Sequence, residues 1–290
     1  MERMQLRAMG KINLGLDVTG VRPDGYHEVR MVMQTVRMFD RLTFTRTAAP
    51  GVRIASNLRI LPTGSTNLVW KAITSLVPEE QLNPGIGVFI EKRIPVAAGM
   101  AGGSADAAAA LIAANRMFGL GLSMDQLMEK GLALGADIPY CLMRGTALAE
   151  GIGETLTKLP SCPDCIILIA KPPEGASTRQ IYQNLVLDDS VQHPDIDGLC
   201  RAIERGRMDE MLPCMGNVLE PVTSALCPAI RRISARMMEC GADKAMMTGS
   251  GPTVFGIFRD RGIAERAKQV LLKAGDCAIV YVTSPFTPAA

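Results

Sequence analysis

Hydrophobic positions along this chain alternate with polar ones in some stretches and recur at helical spacing in others. Alternation places successive side chains on opposite faces of a strand, whereas a recurrence of three to four residues marks one face of a helix. The strands that this pattern predicts lie at residues 4–9, 12–18, 41–46, 87–91, 146–149, 166–170, 245–247, 253–258 and 278–282. The predicted helices lie at 67–76, 104–118, 123–134, 177–184, 195–212, 226–240 and 262–273.

Strands and helices are mixed in both halves of the chain, which predicts an α+β fold with two lobes. The pattern changes at the proline-containing joint Leu159-Pro160-Ser161. We therefore expect a first lobe at residues 1–158 and a second at 159–290. Within the first lobe, Gly10-Lys11 is expected to form a short turn between two strands, and Lys11 and Asn13 are expected to point the same way.

A glycine-rich segment precedes the predicted helix at 104–118. Gly99, Gly102 and Gly103 stand among small residues, and Ser104 suits the N-cap position. Glycine lets backbone N–H groups approach an anion closely, and a helix N-terminus adds unpaired donors. The segment thus predicts a phosphate cradle, although a simple turn capping an alanine-rich helix would have the same pattern. The sequence contains neither G-x-x-x-x-G-K-[ST] nor G-x-G-x-x-G, so a cation for the phosphates must come from elsewhere.

The composition excludes several classes of function. The net charge is only +2 and aromatic residues make up 4% of the chain, so we expect no nucleic-acid-coating surface. The first ten residues contain no apolar signal core, and no apolar run approaches the roughly 20 residues of a membrane span. We therefore expect a cytoplasmic protein with no membrane partner. Its oligomeric state stays open.

Cys162 and Cys165 form a C-x-x-C motif among the eight cysteines of the chain. A zinc site would need a second ligand pair, and the other cysteines are scattered singly. A redox motif would open a helix after a strand, whereas this one precedes the predicted strand at 166–170. We therefore expect reduced, structural cysteines rather than a metal or redox centre.

Three separated motifs together resemble one known family. They are Gly10-Lys-Ile-Asn-Leu14, the segment Pro95–Ala105 and Met247-Thr-Gly-Ser-Gly-Pro252, and their order and spacing resemble the GHMP small-molecule kinases. The segments Arg22-Pro-Asp-Gly-Tyr-His-Glu28 and Leu134-Gly-Ala-Asp-Ile-Pro139 are similar to those of one branch. That branch phosphorylates a cytidine-linked alcohol in the non-mevalonate isoprenoid pathway.

The resemblance implies a two-lobed GHMP kinase fold, with a left-handed βαβ crossover in the nucleotide lobe and the active site in the cleft between the lobes. It also implies transfer of the γ-phosphoryl group of ATP to the 2-hydroxyl of a cytidyl diphosphate substrate, with Mg²⁺ as the accompanying ion. The residues that it assigns to ATP are Pro95, Val96, Ala97, Ala98, Gly99, Met100, Ala101, Gly102, Gly103, Ser104 and Ala105, with Asn67 and Lys92 near the adenine. Ala101 and Ala105 replace a glycine and a serine of many relatives, and the loss of the serine hydroxyl at 105 could weaken ATP binding.

The resemblance also implies the residues of the acceptor side, and the chemistry of phosphoryl transfer supports them. Lys11 and Asp137 would flank the reacting hydroxyl, with Asp137 as base and Lys11 as its electrostatic partner. The expected substrate contacts are Asn13, Tyr26, His27, Tyr182, Gly249 and Ser250. Tyr26 and Tyr182 would sandwich the cytosine while His27 binds its edge, and Ser104 would be available to Mg²⁺.

Each assignment has a simpler alternative. Lys11 could be an exposed lysine at a strand end, Asp137 could cap the turn before Pro139, Ser104 could be only an N-cap, and Tyr182 could pack on its own lobe. At the level of function, the alternatives are a mevalonate-type or homoserine-type kinase of the same family, or a nucleotide-binding protein without transferase activity.

Overall fold

The structure is a computed structural model that describes residues 2–23, 25–188 and 191–288. Asp24, from the segment similar to the cytidyl branch, lies outside the described residues. The strands are β1 Arg3–Val21, β2 His27–Thr47, β3 Val52–Ser56, β4 Gly85–Glu91, β5 Thr146–Glu150, β6 Thr155–Leu159, β7 Ile166–Lys171, β8 Lys244–Met247, β9 Val254–Phe258 and β10 Ile279–Thr283. The helices are α1 Leu68–Thr74, α2 Gly102–Phe118, α3 Met124–Leu132, α4 Asp137–Met143, α5 Thr178–Gln183, α6 Ile196–Glu204, α7 Met208–Cys214, α8 Glu220–Leu226, α9 Ala229–Glu239 and α10 Arg261–Ala274.

The chain forms two compact units that do not follow its order. The first contains the residues up to Gly10, Met38–Val96 and Ala101–Met143. The second contains Lys11–Arg37, Ala97–Met100 and the residues from Arg144 on. The strands β1 and β2 contribute residues to both units, and so does the glycine-rich segment. The division at 158/159 stays a prediction.

The first unit is built on β2 and β4, which pair antiparallel over Arg41–Thr47 and Gly85–Glu91. The short strand β3 pairs parallel with β4, and α1 lies in the connection between these two strands. Helix α2 packs against α1, α3 and α4. Most of the buried residues of α2 are alanines, and alanine side chains let helices approach closely. This packing fixes the direction of α2 and therefore the position of its first turn.

The second unit contains part of the sheet to which β2 belongs and the whole of a second sheet. Residues Met31–Gln34 of β2 pair antiparallel with β5, and β5 pairs with β6. A separate antiparallel sheet has the order β10-β7-β9-β8. Helices α9 and α10 pack on this sheet, and β9 is buried along its whole length. The segment between β8 and β9, residues 248–253, is held by this rigid support.

Several boundaries differ from the sequence predictions. The predicted turn at Gly10-Lys11 is wrong, because β1 runs without interruption through both residues. Gly10 is buried and does not have the positive φ that a tight turn uses. The predicted helix at 195–212 is two helices, since Gly206 between them has a φ of 65°. The strands β3 and β6 and the helices α4 and α8 have no counterpart among the predicted elements.

The described strands form two sheets and alternate along the chain with helices, which confirms the predicted α+β class. Among the described helices none combines the length and the apolar character needed to cross a bilayer.

Candidate active site

The glycine-rich segment has an unusual backbone. Ala97, Gly99 and Ala101, at alternate positions, have φ values of 50°, 74° and 54°. Left-handed residues in a turn are a feature of the backbone concavities that bind anions through successive N–H groups. A left-handed conformation costs a non-glycine residue about 1–3 kcal/mol, and two of these three residues are alanines. Such strain persists where the surrounding structure holds the loop in a shape that serves a function.

Helix α2 begins at the end of this segment. Ala101 occupies the N-cap position, and no side chain caps the first turn. The prediction of Ser104 as N-cap is therefore wrong, because the left-handed Ala101 starts the helix earlier and Ser104 is its third residue. The amides of the first turn consequently have no side-chain acceptor and are suited to bind an anion. The half-buried Ser104 hydroxyl lies within this turn.

In the second unit, Gly99 packs directly on the segment between β8 and β9. A Cβ atom on Gly99 would come within 2.2 Å of the Thr248 carbonyl oxygen. A Cβ on Gly249 would come within 2.8 Å of the Gly99 carbonyl oxygen. Both residues therefore have to be glycine for these two backbones to approach each other.

Strand β1 supplies the next contact in this unit. The backbone N–H of Lys11 donates to the Met100 carbonyl at 3.1 Å, and the N–H of Asn13 donates to the Thr248 hydroxyl at 3.0 Å. The motifs around Lys11, Gly99 and Thr248, which lie far apart in sequence, are thus joined by direct contacts. This is the arrangement that a shared site requires.

The side chains of Lys11 and Asn13 lie on the same face of β1, as predicted. Lys11 Nζ donates to Asn13 Oδ1 at 2.7 Å, and the two residues are only 5% and 0% exposed. Asn13 Nδ2 in turn donates to the Met31 sulfur at 3.2 Å. In the described part of the chain, Lys11 forms no ion pair with a carboxylate. Its ammonium group therefore donates to an amide oxygen and has no carboxylate counter-ion among the described residues.

Sequence reasoning missed Asn217 and Thr178, and it indicated Thr248 only as part of the motif at 247–252. Asn217 Nδ2 donates to the carbonyls of Met247 and Gly249 at 3.0 and 2.9 Å and so fixes the glycine turn. The hydroxyls of Thr178 and Ser250 are 2.8 Å apart, which links the start of α5 to that turn. Asn217 and Thr178 lie outside every motif, so no sequence signal marked them.

The predicted cytosine-binding residues lie in the second unit. The rings of His27 and Tyr182 have centroids 4.9 Å apart and planes tilted by 52°. Tyr26, beside His27, is 61% exposed. An exposed aromatic next to a tilted ring pair suits recognition of a flat heterocycle, but the tyrosine sandwich stays a prediction. His193, which had no predicted role, lies with Nδ1 2.6 Å from Asp17 Oδ1.

Asp137 lies in the first unit, at the first position of α4. No strand follows Asp137 directly, since Ile138 and Pro139 continue into the first helical turn, where proline is tolerated. The Asp137 side chain is half-buried and has no hydrogen-bond or ion-pair partner among the residues that the structure describes. A helix N-terminus favours the negative charge of such a carboxylate.

The other two predicted nucleotide residues of the first unit have intramolecular partners. Asn67 caps α1 by accepting from the Val69 N–H at 2.8 Å, and it donates to the Pro62 carbonyl. Lys92 is buried between Asp40 and Asp106. The roles of Asn67 and Lys92 toward ATP therefore stay predictions.

Comparisons with known proteins agree with these motifs. A family model of the GHMP kinases N terminal domain matches residues 67–145, and a model of GHMP kinases C terminal matches residues 199–277. The 4-diphosphocytidyl-2-C-methyl-D-erythritol kinase of Lachnospira eligens is 53% identical over 288 residues, which are 99% of this chain and 100% of that protein. The enzyme of the same name from Bacillus subtilis is 42% identical over 279 residues, 96% of either chain.

Solved structures give the same result. A crystal structure of 4-(cytidine 5'-diphospho)-2C-methyl-D-erythritol kinase superposes with a TM-score of 0.83 at 28% identity and covers 98% of this chain and 100% of its own. Homoserine kinase from Cytophaga hutchinsonii, at 20% identity and a TM-score of 0.79, covers 98% of this chain and 95% of its own, and shares the fold. The two family models lead to the same conclusion as the relatives, which match over nearly their full length. This chain is a member of the GHMP kinases and, among them, of the 4-diphosphocytidyl-2-C-methyl-D-erythritol kinase family.

Proposed function

We propose that this protein transfers the γ-phosphoryl group of ATP to the 2-hydroxyl of 4-diphosphocytidyl-2-C-methyl-D-erythritol, in the non-mevalonate route to isoprenoid precursors. The observation that carries the proposal is the assembly of Lys11, the Gly99 loop and the Thr248 turn by direct hydrogen bonds and backbone packing. Similarity over 99% of the chain to a relative of that name supports the choice of acceptor.

The nucleotide would bind through its phosphates at the glycine-rich segment. The left-handed residues at 97, 99 and 101 and the uncapped first turn of α2 both present backbone N–H groups without intramolecular side-chain partners. Such donors bind phosphate oxygens without the need for a lysine after the glycines. Residues Pro95–Ala105 would therefore wrap the triphosphate, with Asn67 and Lys92 on the adenine side.

The acceptor would bind through its cytosine and its hydroxyls. His27 and Tyr182 lie close enough for both rings to contact one small heterocycle, and Tyr26 would cover its second face. Gly249 and Ser250 would contact the diphosphate or the alcohol, because Asn217 and Thr178 hold their backbone and hydroxyl in place. Asn13 would act near the same hydroxyls, chiefly by positioning Lys11.

The chemical step needs a base and a stabiliser of negative charge. Asp137 would take the proton of the attacking 2-hydroxyl, since its carboxylate is not occupied by another described side chain. Lys11 would stabilise the alkoxide as it forms, because a buried ammonium without a counter-ion interacts strongly with a new negative charge. Each of these two roles is one that in-line displacement on the γ-phosphorus requires.

Magnesium would accompany ATP. This ion usually keeps several water and phosphate oxygens and needs only one or two protein ligands, so a dedicated cluster of carboxylates is not required. Ser104 fits this need, because its hydroxyl lies in the first turn of α2 beside the proposed phosphate site. It would offer one oxygen to the ion or to a β-phosphate.

The proposal is tested by measuring ADP release with three acceptors: 4-diphosphocytidyl-2-C-methyl-D-erythritol, homoserine and mevalonate. We expect turnover with the cytidyl alcohol only, because the other two have no base for His27 and Tyr182 to contact. Release of ADP with homoserine or mevalonate but not with the cytidyl alcohol would overturn it. ADP release with no acceptor at all would indicate a nucleotide hydrolase instead.

A further inference from the structure

Three charged side chains are buried together in the first unit. Asp40 from β2, Lys92 after β4 and Asp106 from α2 have side chains that are 0%, 3% and 5% exposed. Lys92 Nζ donates to Asp40 Oδ2 at 2.5 Å and to Asp106 Oδ2 at 2.8 Å. We name these three residues the Lys92 cluster. It contains two carboxyl groups and one ammonium, so it would carry a net negative charge if every group were ionised.

The two carboxyl groups have unequal surroundings. Asp40 accepts from Lys92 and, through Oδ1, from the backbone N–H groups of Arg93 and Ile94 at 2.5 and 2.8 Å. Asp106 accepts from Lys92 alone, and its buried Oδ1 has no hydrogen-bond partner among the described residues. A buried carboxylate is stabilised by donors and destabilised by burial without them. The negative charge therefore belongs on Asp40.

We infer that Asp106 is buried as a neutral carboxylic acid that shares Lys92 with an ionised Asp40, so that the Lys92 cluster has no net charge at neutral pH. Burial raises the pKa of Asp106 to about 8, with the nearby Asp40 adding to the rise and Lys92 opposing it. The charged residues of the helices packed on α2 are Lys71, Asp125, Glu129, Lys130 and Asp137. None of these five forms a hydrogen bond or ion pair with Asp106 in the described structure. Lys92 and Asp40 are thus the charged groups that set its state.

The position of the cluster connects it to the nucleotide, and this step rests on the proposed function. A Cβ atom placed on Gly102 would lie 3.2 Å from Lys92 Nζ, so the cluster adjoins the first residue of α2. An ionised Asp106 would place a net negative charge next to the turn that we propose binds the triphosphate. The neutral form avoids this repulsion. Asp106 is therefore a positioning residue whose protonation keeps the turn favourable for an anion.

The inference is tested first without nucleotide. A carboxyl group whose folded pKa lies above its unfolded value near 3.9 holds a proton that the unfolded chain releases, so its stabilising contribution is lost as pH rises toward about 8. We expect the denaturation midpoint of the wild type to fall relative to that of Asp106→Asn between about pH 5 and pH 8. Parallel pH profiles for the two proteins would overturn the inference.

Infrared spectroscopy gives a readout that needs no variant to fold. The wild type should show the carbonyl band of a buried carboxylic acid at neutral pH, and this band should disappear above about pH 8. Asp106→Asn should lack the band. Its absence from the wild type at neutral pH would show that Asp106 is ionised and would contradict the inference.

Asp40→Asn is the matched control, because it changes the other carboxyl group on the same ammonium. We expect Asp40→Asn to remove the ionised member and to destabilise the protein at neutral pH more than Asp106→Asn does. Equal effects of the two variants would mean that the proton is shared equally, and the assignment to Asp106 would be wrong.

A further experiment, with nucleotide present, measures KM for ATP as a function of pH. We expect it to rise several-fold in the wild type between about pH 7 and pH 9 and to stay level in Asp106→Asn. A rise of equal size in both proteins would remove Asp106 from nucleotide positioning. Complete lack of kinase activity would instead contradict the proposed function, and the unfolding and infrared results would then decide the inference by themselves.

Discussion

The ammonium of Lys11 is nearly inaccessible, yet its hydrogen-bond acceptor is the amide oxygen of Asn13 rather than a carboxylate. Lys92, equally buried, has two carboxyl groups beside it. Burial opposes the charge of Lys92, but Asp106 and Asp40 outweigh that effect and raise its pKa. The two lysines therefore serve different purposes. Lys92 is ion-paired within the first unit, whereas Lys11 keeps a charge that can respond to a ligand.

Asp137→Asn tests the proposed base. The amide keeps the shape of the side chain but cannot take a proton, so we expect kcat to fall about 10²–10⁴-fold while substrate binding changes little. Lys11→Met should also lower kcat, with some added loss of binding. Steady-state kinetics of the purified variants measures both effects.

Asp125→Asn is the control for this substitution, because Asp125 is an exposed aspartate in the first turn of α3. It should leave kcat within about two-fold of wild type. If Asp137→Asn were as active as this control, Asp137 would not be the base.

Tyr182→Ala tests recognition of the cytosine. We expect it to raise KM for the cytidyl substrate by the equivalent of about 1–3 kcal/mol and to leave KM for ATP nearly unchanged, because only the acceptor carries the stacked base. Tyr26→Ala should do the same. Tyr281→Ala, a half-exposed tyrosine on β10, is the control and should change neither constant. An unchanged cytidyl KM in Tyr182→Ala would place the contact on another residue.

The reactivity of the Cys162 thiol tests whether the cysteines of the C-x-x-C motif have only a structural role. The Cys165 side chain, with burial, raises the pKa of Cys162 well above that of an ordinary thiol. Its thiolate fraction is therefore smaller than usual near neutral pH, so we expect slow alkylation that speeds up only at strongly alkaline pH. The double variant Cys162→Ser/Cys165→Ser should retain activity. Stoichiometric zinc in the wild type that this variant loses would contradict the structural role.

At the scale of elements, the sequence predicted the type of most long segments and missed features set by tertiary contacts. Ser123 opens the predicted helix at 123–134 and forms a complete capping box with Gln126, because the signal for a helix start is local. Gly10 favoured a turn by local preference, but β1 continues through it under the constraint of the surrounding strands. Ser104 is not the N-cap, because Ala101 adopts a left-handed conformation and the helix already begins after it. No local sequence signal predicts a left-handed alanine.

The loop before α2 gives a prediction at this scale. Gly99→Ala should destabilise the protein by about 1–3 kcal/mol or more and weaken ATP binding, because the new Cβ meets the Thr248 carbonyl and the residue has a φ of 74°. Chemical denaturation and nucleotide titration measure the two effects.

Gly103→Ala is the matched control for that change. Gly103 is helical, and its new Cβ would make an ordinary contact of 3.6 Å with Leu68. This variant should be as stable as the wild type or more stable by up to about 1 kcal/mol. If Gly99→Ala were tolerated equally well, the close approach to Thr248 would not constrain the loop.

At the scale of the whole molecule, the order and spacing of the motifs carried more information about the candidate site than the predicted secondary structure did. The sequence indicated that the segments around Lys11, Gly99 and Thr248 serve one site, and the second unit joins all three. It could not indicate that Asn217 fixes the turn or that Asp40 and Asp106 both contact Lys92. Those contacts form between segments that are distant in sequence. No local sequence pattern shows which distant residue a side chain will contact.

The proposed reaction places a phosphoryl group on one particular hydroxyl of the cytidyl alcohol. The most direct measurement is nuclear magnetic resonance of the product formed from ATP and 4-diphosphocytidyl-2-C-methyl-D-erythritol. We expect a new phosphate monoester with phosphorus–carbon coupling to the carbons at the 2-position, together with an unchanged diphosphate bridge. A monoester on another hydroxyl, or inorganic phosphate with an unmodified alcohol, would contradict the account.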